Sequence, residues 1–227
     1  MSQVYPPNVI IKIIINDFFR YRELTLAARG LARDAVIPTF DDDRIISDME
    51  QFHYVRLDAK RAVARGDRNW VIVLILSADG KYSHHSPDLR KLLEGIESER
   101  LAKDGYLDEV IIVAEESFFS KKNLTDVVRG FQSIQSDSPL YNAYPYYNFA
   151  FVVPEHKSVS PHRIMTQVEV DSLLIREHIL RTDLAVILTN DAPIVWIGAR
   201  EGQVIEITRD SQTAGIALYY RRVERAS

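Results

Sequence analysis

The sequence predicts an α/β (α+β) chain of two domains, an N-terminal α/β domain followed by a small C-terminal mixed α+β domain. Two uninterrupted apolar runs of strand length, residues 70–76 and 110–114, lie among segments of helical periodicity, which is the order of a layered α/β unit. Residues 133–147 carry no periodicity and collect serine, proline and tyrosine, as a linker does. Beyond them a helix-starting motif precedes two strands joined by a glycine-containing loop.

The opening element is an amphipathic helix. Ile10, Ile14, Phe18, Tyr21, Thr25 and Ala28 recur at steps of three and four, Lys12, Asn16, Arg20 and Glu23 fall on the other side, and Arg29-Gly30 reads as the C-cap. The β-branched run from Val9 to Ile15 suits a strand equally well, so the first turns stay open between the two. Residues 70–76 form a buried central strand, and Ser77, Ala78, Asp79 and Gly80 turn the chain. Ser86, Pro87 and Asp88 supply an N-cap, a first-turn proline and a first-turn acid for a second helix that carries Leu89, Leu92, Leu93 and Ile96 on one face and closes at Gly105. After the strand at 110–114, residues 123–126 start a short helix that ends near Gly130. The polar stretch before Gln51 shows no clear strand. These elements give an N-terminal domain at 1–140, a linker at 141–147 and a C-terminal domain at 148–227. The tyrosines of the linker, Tyr141, Tyr144, Tyr146 and Tyr147, are expected to pack on a neighbouring domain.

In the C-terminal domain, residues 148–153 read as a strand. Thr166 and Glu169 form a capping box, in which the threonine accepts from the N3 amide while the glutamate reaches back to the cap amide. Val170, Leu173 and Leu174 line the helix that follows. Residues 204–209 and 216–221 read as a hairpin whose loop runs from Asp210 to Gly215.

Of the 227 residues, 46% are hydrophobic and 26% charged, the balance of an ordinary folded chain. The net charge is -4, so the summed field repels phosphate and any contact with nucleic acid must come from a local basic patch. With no cysteine there is no disulfide, thiol catalysis or thiolate zinc site. The start lacks a basic n-region, and Asn16 and Asp17 break the apolar run behind it, so a soluble, non-secreted chain without a membrane segment is expected. No metal or other cofactor is expected: His156 has no second ligand at metal spacing, and His53, His84, His85, His162 and His178 show none either.

Several short motifs of the C-terminal segment match those of one protein family in order and spacing. Val153-Pro154-Glu155-His156 is similar to that family's Val-Pro-x-His segment, and Thr166 with Val170, Leu173, Leu174, Ile179 and Leu184 resembles the helix after it. Asp191, Gly198 and Gly202 keep the family spacing. Arg209-x-Ser211-x-Thr213-x-Gly215 and Tyr220-Arg221 match position for position. On these motifs the chain resembles the jaw subunit shared by the eukaryotic nuclear RNA polymerases I, II and III, whose C-terminal domain matches the H-type subunit of archaeal RNA polymerase. The likeness spans about 152–223, with a weaker one over the first domain. Ala150, Ala185 and Ala192-Pro193 depart from the family pattern, which suits a divergent member from an unusual eukaryote or a large DNA virus.

The resemblance implies a non-catalytic subunit of DNA-directed RNA polymerase with a jaw-like first domain near downstream duplex DNA and a second domain that assembles onto the largest subunit, with no homo-oligomer. The nucleus is implied for a cellular protein, and the viral factory or virion for a viral one. Interface candidates are Val153, Pro154, His156, Gly198, Gly202, Arg209, Ser211, Thr213, Gly215, Tyr220 and Arg221. DNA-contact candidates are Ser117, Ser120, Lys121 and Lys122, hydroxyls and ammonium groups that suit a phosphate but read no base. An ordinary solvated turn explains that stretch equally well. Two other functions stay open. Asp58-x-Lys60, with Asp41, Asp42 and Asp43 upstream, has the form of a metal-dependent nuclease motif. The third reading is a free transcription adaptor outside the polymerase.

Overall fold

A computed structural model describes residues 7–27, 47, 49–65, 68–77, 82, 87–102, 107–119, 123–132, 139–211 and 215–226. The chain divides into two units, Met1–Phe151 and Val152–Ser227.

In the first unit a continuous helix, α1, is α-helical over Pro7–Ile13, π-helical over Ile14–Phe18 and α-helical again over Phe19–Tyr21. Its buried side chains are Ile10, Ile11, Ile14, Phe18 and Phe19. The helix stops well short of Arg29, contrary to the sequence expectation. Glu23 takes a left-handed φ of 54°, and Leu24–Ala27 forms strand β1. Thr25 therefore faces solvent from a strand, and Ala28, Arg29 and Gly30 lie outside the described residues. In β1, Leu24 is buried and Thr25 exposed, so a period of two overrides a helical spacing that Thr25 satisfied by coincidence.

Strand β2, Tyr54–Arg65, is long and was not expected. Val55, Leu57 and Ala59 are buried on one face, while Arg56, Asp58 and Lys60 occupy the other. Every second residue is charged or polar, so the strand reads as a solvated stretch, yet those charges meet partners on the neighbouring elements. Strand β3, Arg68–Leu76, helix α2, Pro87–Ala102, strand β4, Leu107–Ala114, and helix α3, Asn123–Gln132, appear where the sequence placed them. Ser86 and Gly105 lie outside the described residues.

Leu140–Pro145, read above as the start of the linker, is strand β5. It pairs parallel to β4 from Glu109↔Leu140 to Ala114↔Pro145. Tyr141 and Tyr144 are core side chains of this first unit. They were legible only as an aperiodic tyrosine cluster because Tyr141 faces the side of the sheet that carries α2 and α3 while Tyr144 faces the other. A strand buried on both faces shows no alternation. The chain then continues through 3-10 turns at Tyr146–Phe149 and Val153–Glu155 where a strand at 148–153 was expected. Pro154 in the second turn removes a ladder donor and suits a turn better than a strand interior.

The sheet order is β1-β2-β3-β4-β5, with β1, β2 and β3 antiparallel and β3, β4 and β5 parallel. Ile72, Leu74, Leu76, Val110 and Ile112 pack beneath Leu89, Leu93 and Ile96 of α2 and Leu124, Val128 and Phe131 of α3. On the opposite face Val71, Val73, Ile75, Ile111 and Val113 are fully buried. Phe18 of α1 meets Phe149 edge-on at 5.0 Å, and Phe149 in turn packs against Tyr144.

In the second unit the elements are β6 (His162–Ile164), α4 (Gln167–Glu177), β7 (Ala185–Leu188), α5 (Ala192–Ile197), β8 (Val204–Ser211) and β9 (Gly215–Glu224). They form a sheet of order β6-β8-β9-β7 in which only β7 and β9 are parallel. The capping box is formed as expected: the Glu169 amide donates to Thr166 Oγ1 at 3.3 Å and the Thr166 amide donates to Glu169 Oε2 at 2.7 Å. One face of the sheet packs Ile187, Ile205, Ile207 and Val223 against Ile194 and Ala199. The other packs Val204 against Val170 and Leu184, with Leu174, Ile179 and Tyr220 at the margin.

Candidate docking surface

The hairpin of β8 and β9 carries most of the interface candidates. Its register runs from Val204↔Arg222 to Ser211↔Gly215. Gly215 has φ 71°, and a Cβ there would meet nothing within 4 Å, so the position calls for glycine through its backbone angle and not through crowding. Thr213 lies outside the described residues.

Alternation along the hairpin sorts its side chains into two sets. Arg209, Ala217, Tyr219 and Arg221 share a face with Ile205, Ile207 and Val223 and with His162 of the neighbouring β6. The Arg209 guanidinium sits 5.0 Å from the Tyr219 ring centroid, a cation–π contact. Arg221 Nη1 donates to the Val186 carbonyl at 3.0 Å. Neither arginine has a carboxylate partner among the described residues. Burial, the largest influence, holds the His162 imidazole below its usual pKa; Arg209 and Arg221 push the same way, against a hydrogen bond to the Ser160 carbonyl and the charge of Asp191.

The opposite face presents Ile216 and Leu218, 63% and 49% exposed, along β9, and Val186 and Leu188 along β7. Tyr220, on the same face, is instead drawn into the cluster around Val170 and Leu184. From Gly215 to Tyr220, β9 pairs with β8 on one side, and β7 joins the other side only from Arg221 onward. Among the described residues that stretch of edge has no second strand.

The remaining interface candidates lie at turns. Val153 is buried and Pro154 half-buried in their 3-10 turn. His156 is exposed, and its Nδ1 accepts from the Ser158 amide at 3.2 Å, the role of a turn cap. Gly198 ends α5 in the left-handed region with φ 68°. Gly202, at φ 83°, donates its amide to the Val223 carbonyl at 2.9 Å, and its carbonyl accepts from Arg181 Nη1 at 2.9 Å. The two glycines thus shape the return of the chain onto β9.

Of the DNA-contact candidates, Ser117 is exposed on a 3-10 turn and donates to Glu115 Oε2 at 3.0 Å. Ser120, Lys121 and Lys122 lie outside the described residues. The nuclease motif draws no support: Asp58 Oδ1 accepts from Arg56 Nε at 2.7 Å, and Arg56 is itself bound to Glu99 of α2 at 2.9 Å. Lys60 stands over the Trp70 ring at 4.4 Å. Asp41, Asp42 and Asp43 lie outside the described residues. Among the described residues no three metal-ligating side chains converge, and no helix there is long and apolar enough to cross a membrane.

Sequence reading missed two features. Tyr219 and the exposed Ile216 and Leu218 escaped because nothing in a local pattern says that a strand edge stays unpaired. A buried ionic cluster in the first unit escaped because its members are distant in sequence. Arg22 Nη1 donates to both Glu109 oxygens at 2.9 and 2.8 Å. Arg61 donates to Asp108 at 2.7 Å and Glu109 at 2.6 Å, and Asn142 to Glu109 at 2.8 Å.

Comparison with known proteins falls on the same segments. The family model for the RNA polymerase Rpb5 C-terminal domain matches residues 151–223. The chain is 29% identical over 212 residues to the DNA-directed RNA polymerase RPB5 homologue of African swine fever virus, covering 93% of this chain and 95% of that one. Over 72 residues it is 40% identical to the DNA-directed RNA polymerase subunit Rpo5 of Nitrosopumilus maritimus, covering 32% of this chain and 87% of the archaeal one. Rpo5 of Thermococcus kodakarensis gives 41% over 73 residues, or 32% and 89%. The archaeal likeness is thus confined to a segment about the size of the second unit, and the viral likeness runs through both.

Proposed function

This chain belongs to the RNA polymerase Rpb5 family and is a non-catalytic subunit of a multi-subunit DNA-directed RNA polymerase, and from that premise we propose that its second unit docks on the largest subunit while its first unit lies beside downstream duplex DNA. The match of the Rpb5 C-terminal model to residues 151–223 supports the docking role most directly. The chain needs no catalytic site of its own, since nucleotide addition belongs to the large subunits. The near full-length likeness to a viral subunit supports a place in the viral factory or virion of a large DNA virus.

Two experiments test this. Affinity-tagged full-length chain, purified at high salt and analysed by mass spectrometry, is expected to retain the two largest polymerase subunits; loss of both rules the docking role out. Gly215→Val is expected to lower that retention, because a β-branched residue cannot readily hold the positive φ. For the DNA role, replacing Lys121 and Lys122 with alanine is expected to weaken binding of downstream duplex evenly across sequences and to make the log-log salt slope shallower by about 0.9 per lost contact. An unchanged slope in assembled polymerase identifies that stretch as a solvated turn.

A further inference from the structure

An unpaired strand edge is a template for another chain, and proteins ordinarily blunt it with lysine, proline or a covering element. The stretch Gly215-Ile216-Ala217-Leu218-Tyr219-Tyr220 contains no charge and no proline. Its outer edge has no strand among the described residues. One face beside that edge offers two arginines that have no carboxylate partner among the described residues, Arg209 next to the Tyr219 ring and Arg221. The other offers exposed Ile216 and Leu218. A strand laid along this edge would send alternate side chains to these two unlike faces.

We propose that the open edge of β9 receives an extended segment of a polymerase partner whose side chains alternate between carboxylates and apolar groups, the carboxylates meeting Arg209 and Arg221 and the apolar groups meeting Ile216 and Leu218. The proposal rests on the docking role above and names the chemistry of what docks. Charge complementarity selects this occupant. Guanidinium groups pair with carboxylates in fixed planar geometry, and an arginine already held by a ring or a carbonyl loses little freedom in doing so. Arg209 lies opposite Ala217, and Arg221 lies two same-face positions further along β9. Ala185 of β7 already occupies the place beside Arg221, so the partner's acids stand beside Ala217 and Tyr219, two residues and roughly 7 Å apart, the second reaching the Arg221 side chain diagonally. The uncharged edge gives main-chain affinity, and the two faces give register, since a slip of one residue would set acids on Ile216 and apolar groups on the arginines.

The test uses full-length protein and short blocked peptides that alternate glutamate with valine, lysine with valine, or carry glutamates and valines in separate blocks, followed by fluorescence anisotropy. The alternating glutamate peptide is expected to bind, and the other two are not. Arg209→Glu with Arg221→Glu should weaken that binding by about tenfold or more and take up the lysine peptide instead. If the doubly reversed chain misfolds, as circular dichroism would reveal, Arg209→Gln with Arg221→Gln replaces it, and binding of the glutamate peptide should then weaken and lose its salt dependence. N-methylation of every second peptide amide should remove binding. Equal affinity for the glutamate and lysine peptides, or binding that survives N-methylation, overturns the proposal. The same variants are carried through the tagged purification. Failure of the unaltered chain to retain the large subunits defeats the docking role itself. Retention that the arginine substitutions leave undiminished defeats only the segment chemistry.

Discussion

Both units tie their elements together with arginine and carboxylate, yet in opposite settings. In the first unit the side chains of Arg22, Arg61, Asp108 and Glu109 are 2%, 5%, 2% and 2% exposed. Burial opposes the Arg22 charge, and Glu109 and Tyr144 outweigh it, so its pKa stands above that of a free guanidinium. In the second unit Arg163 spans Glu169 at 2.8 Å and Glu206 at 2.9 Å with half of its side chain in water. The bond lengths are alike; the desolvation is not. A buried charge that loses its partner cannot fall back on water, whereas an exposed one does so at once. The first network is therefore a joint whose parts depend on each other, and the second a surface tie.

Removing the hub of the buried joint should give the largest effect. Glu109→Ala removes the carboxylate that Arg22 and Arg61 share, and is expected to lower the unfolding free energy of the first unit by about 3–5 kcal/mol in urea titration. Replacing Arg22 and Glu109 together with methionine leaves the Arg61–Asp108 pair intact and is expected to cost less than Glu109→Ala alone. A double variant less stable than the single one breaks the comparison.

Next in size is the helix start of the second unit. Thr166→Ala removes the acceptor for the Glu169 amide and is expected to cost about 1 kcal/mol, read as a shift in the denaturation midpoint.

His162 is an intermediate case, half-buried near Arg209 and Arg221. Its folded pKa is lowered, so the unfolded chain binds the proton first as pH falls. The second unit should lose stability as pH drops through the ordinary histidine range, about 6.5, and the loss should level off below the folded value. His162→Asn is expected to flatten that part of the profile in pH-dependent thermal melts, and an unchanged slope would mean that the imidazole is not desolvated as described.

Smallest is the surface tie. Arg163→Ala is expected to shift the melting temperature least of all, and about 1 M salt should remove the difference between variant and parent. A loss comparable to that of Glu109→Ala would show that exposure is not what separates the two networks.

Local chemistry made part of this molecule readable. The apolar runs of β3 and β4 are legible because strands buried on both faces are apolar throughout, and the start of α2 at Pro87, the capping box of Thr166 and Glu169 and the left-handed Gly215 are legible because the groups that decide them are a few residues apart. The short motifs around Val153-Pro154, Arg209 and Tyr220-Arg221 sufficed for the family likeness in the same way.

The rest needed distant partners. Residues 56, 58 and 60 look like a solvated stretch until α2 brings Glu99 to Arg56, and Leu140–Pro145 looks like a linker until β4 pairs with it and buries Tyr141. Thr25 satisfied a helical spacing that strand pairing with β2 overrode. By itself the sequence determined the long apolar strands and the caps and turns whose hydrogen bonds close locally, and with them the family. Only the tertiary structure decided which charges are buried and which strand edge is left open, because both depend on what the chain brings alongside from far away, and desolvation and pairing are properties of that neighbourhood and not of any residue alone.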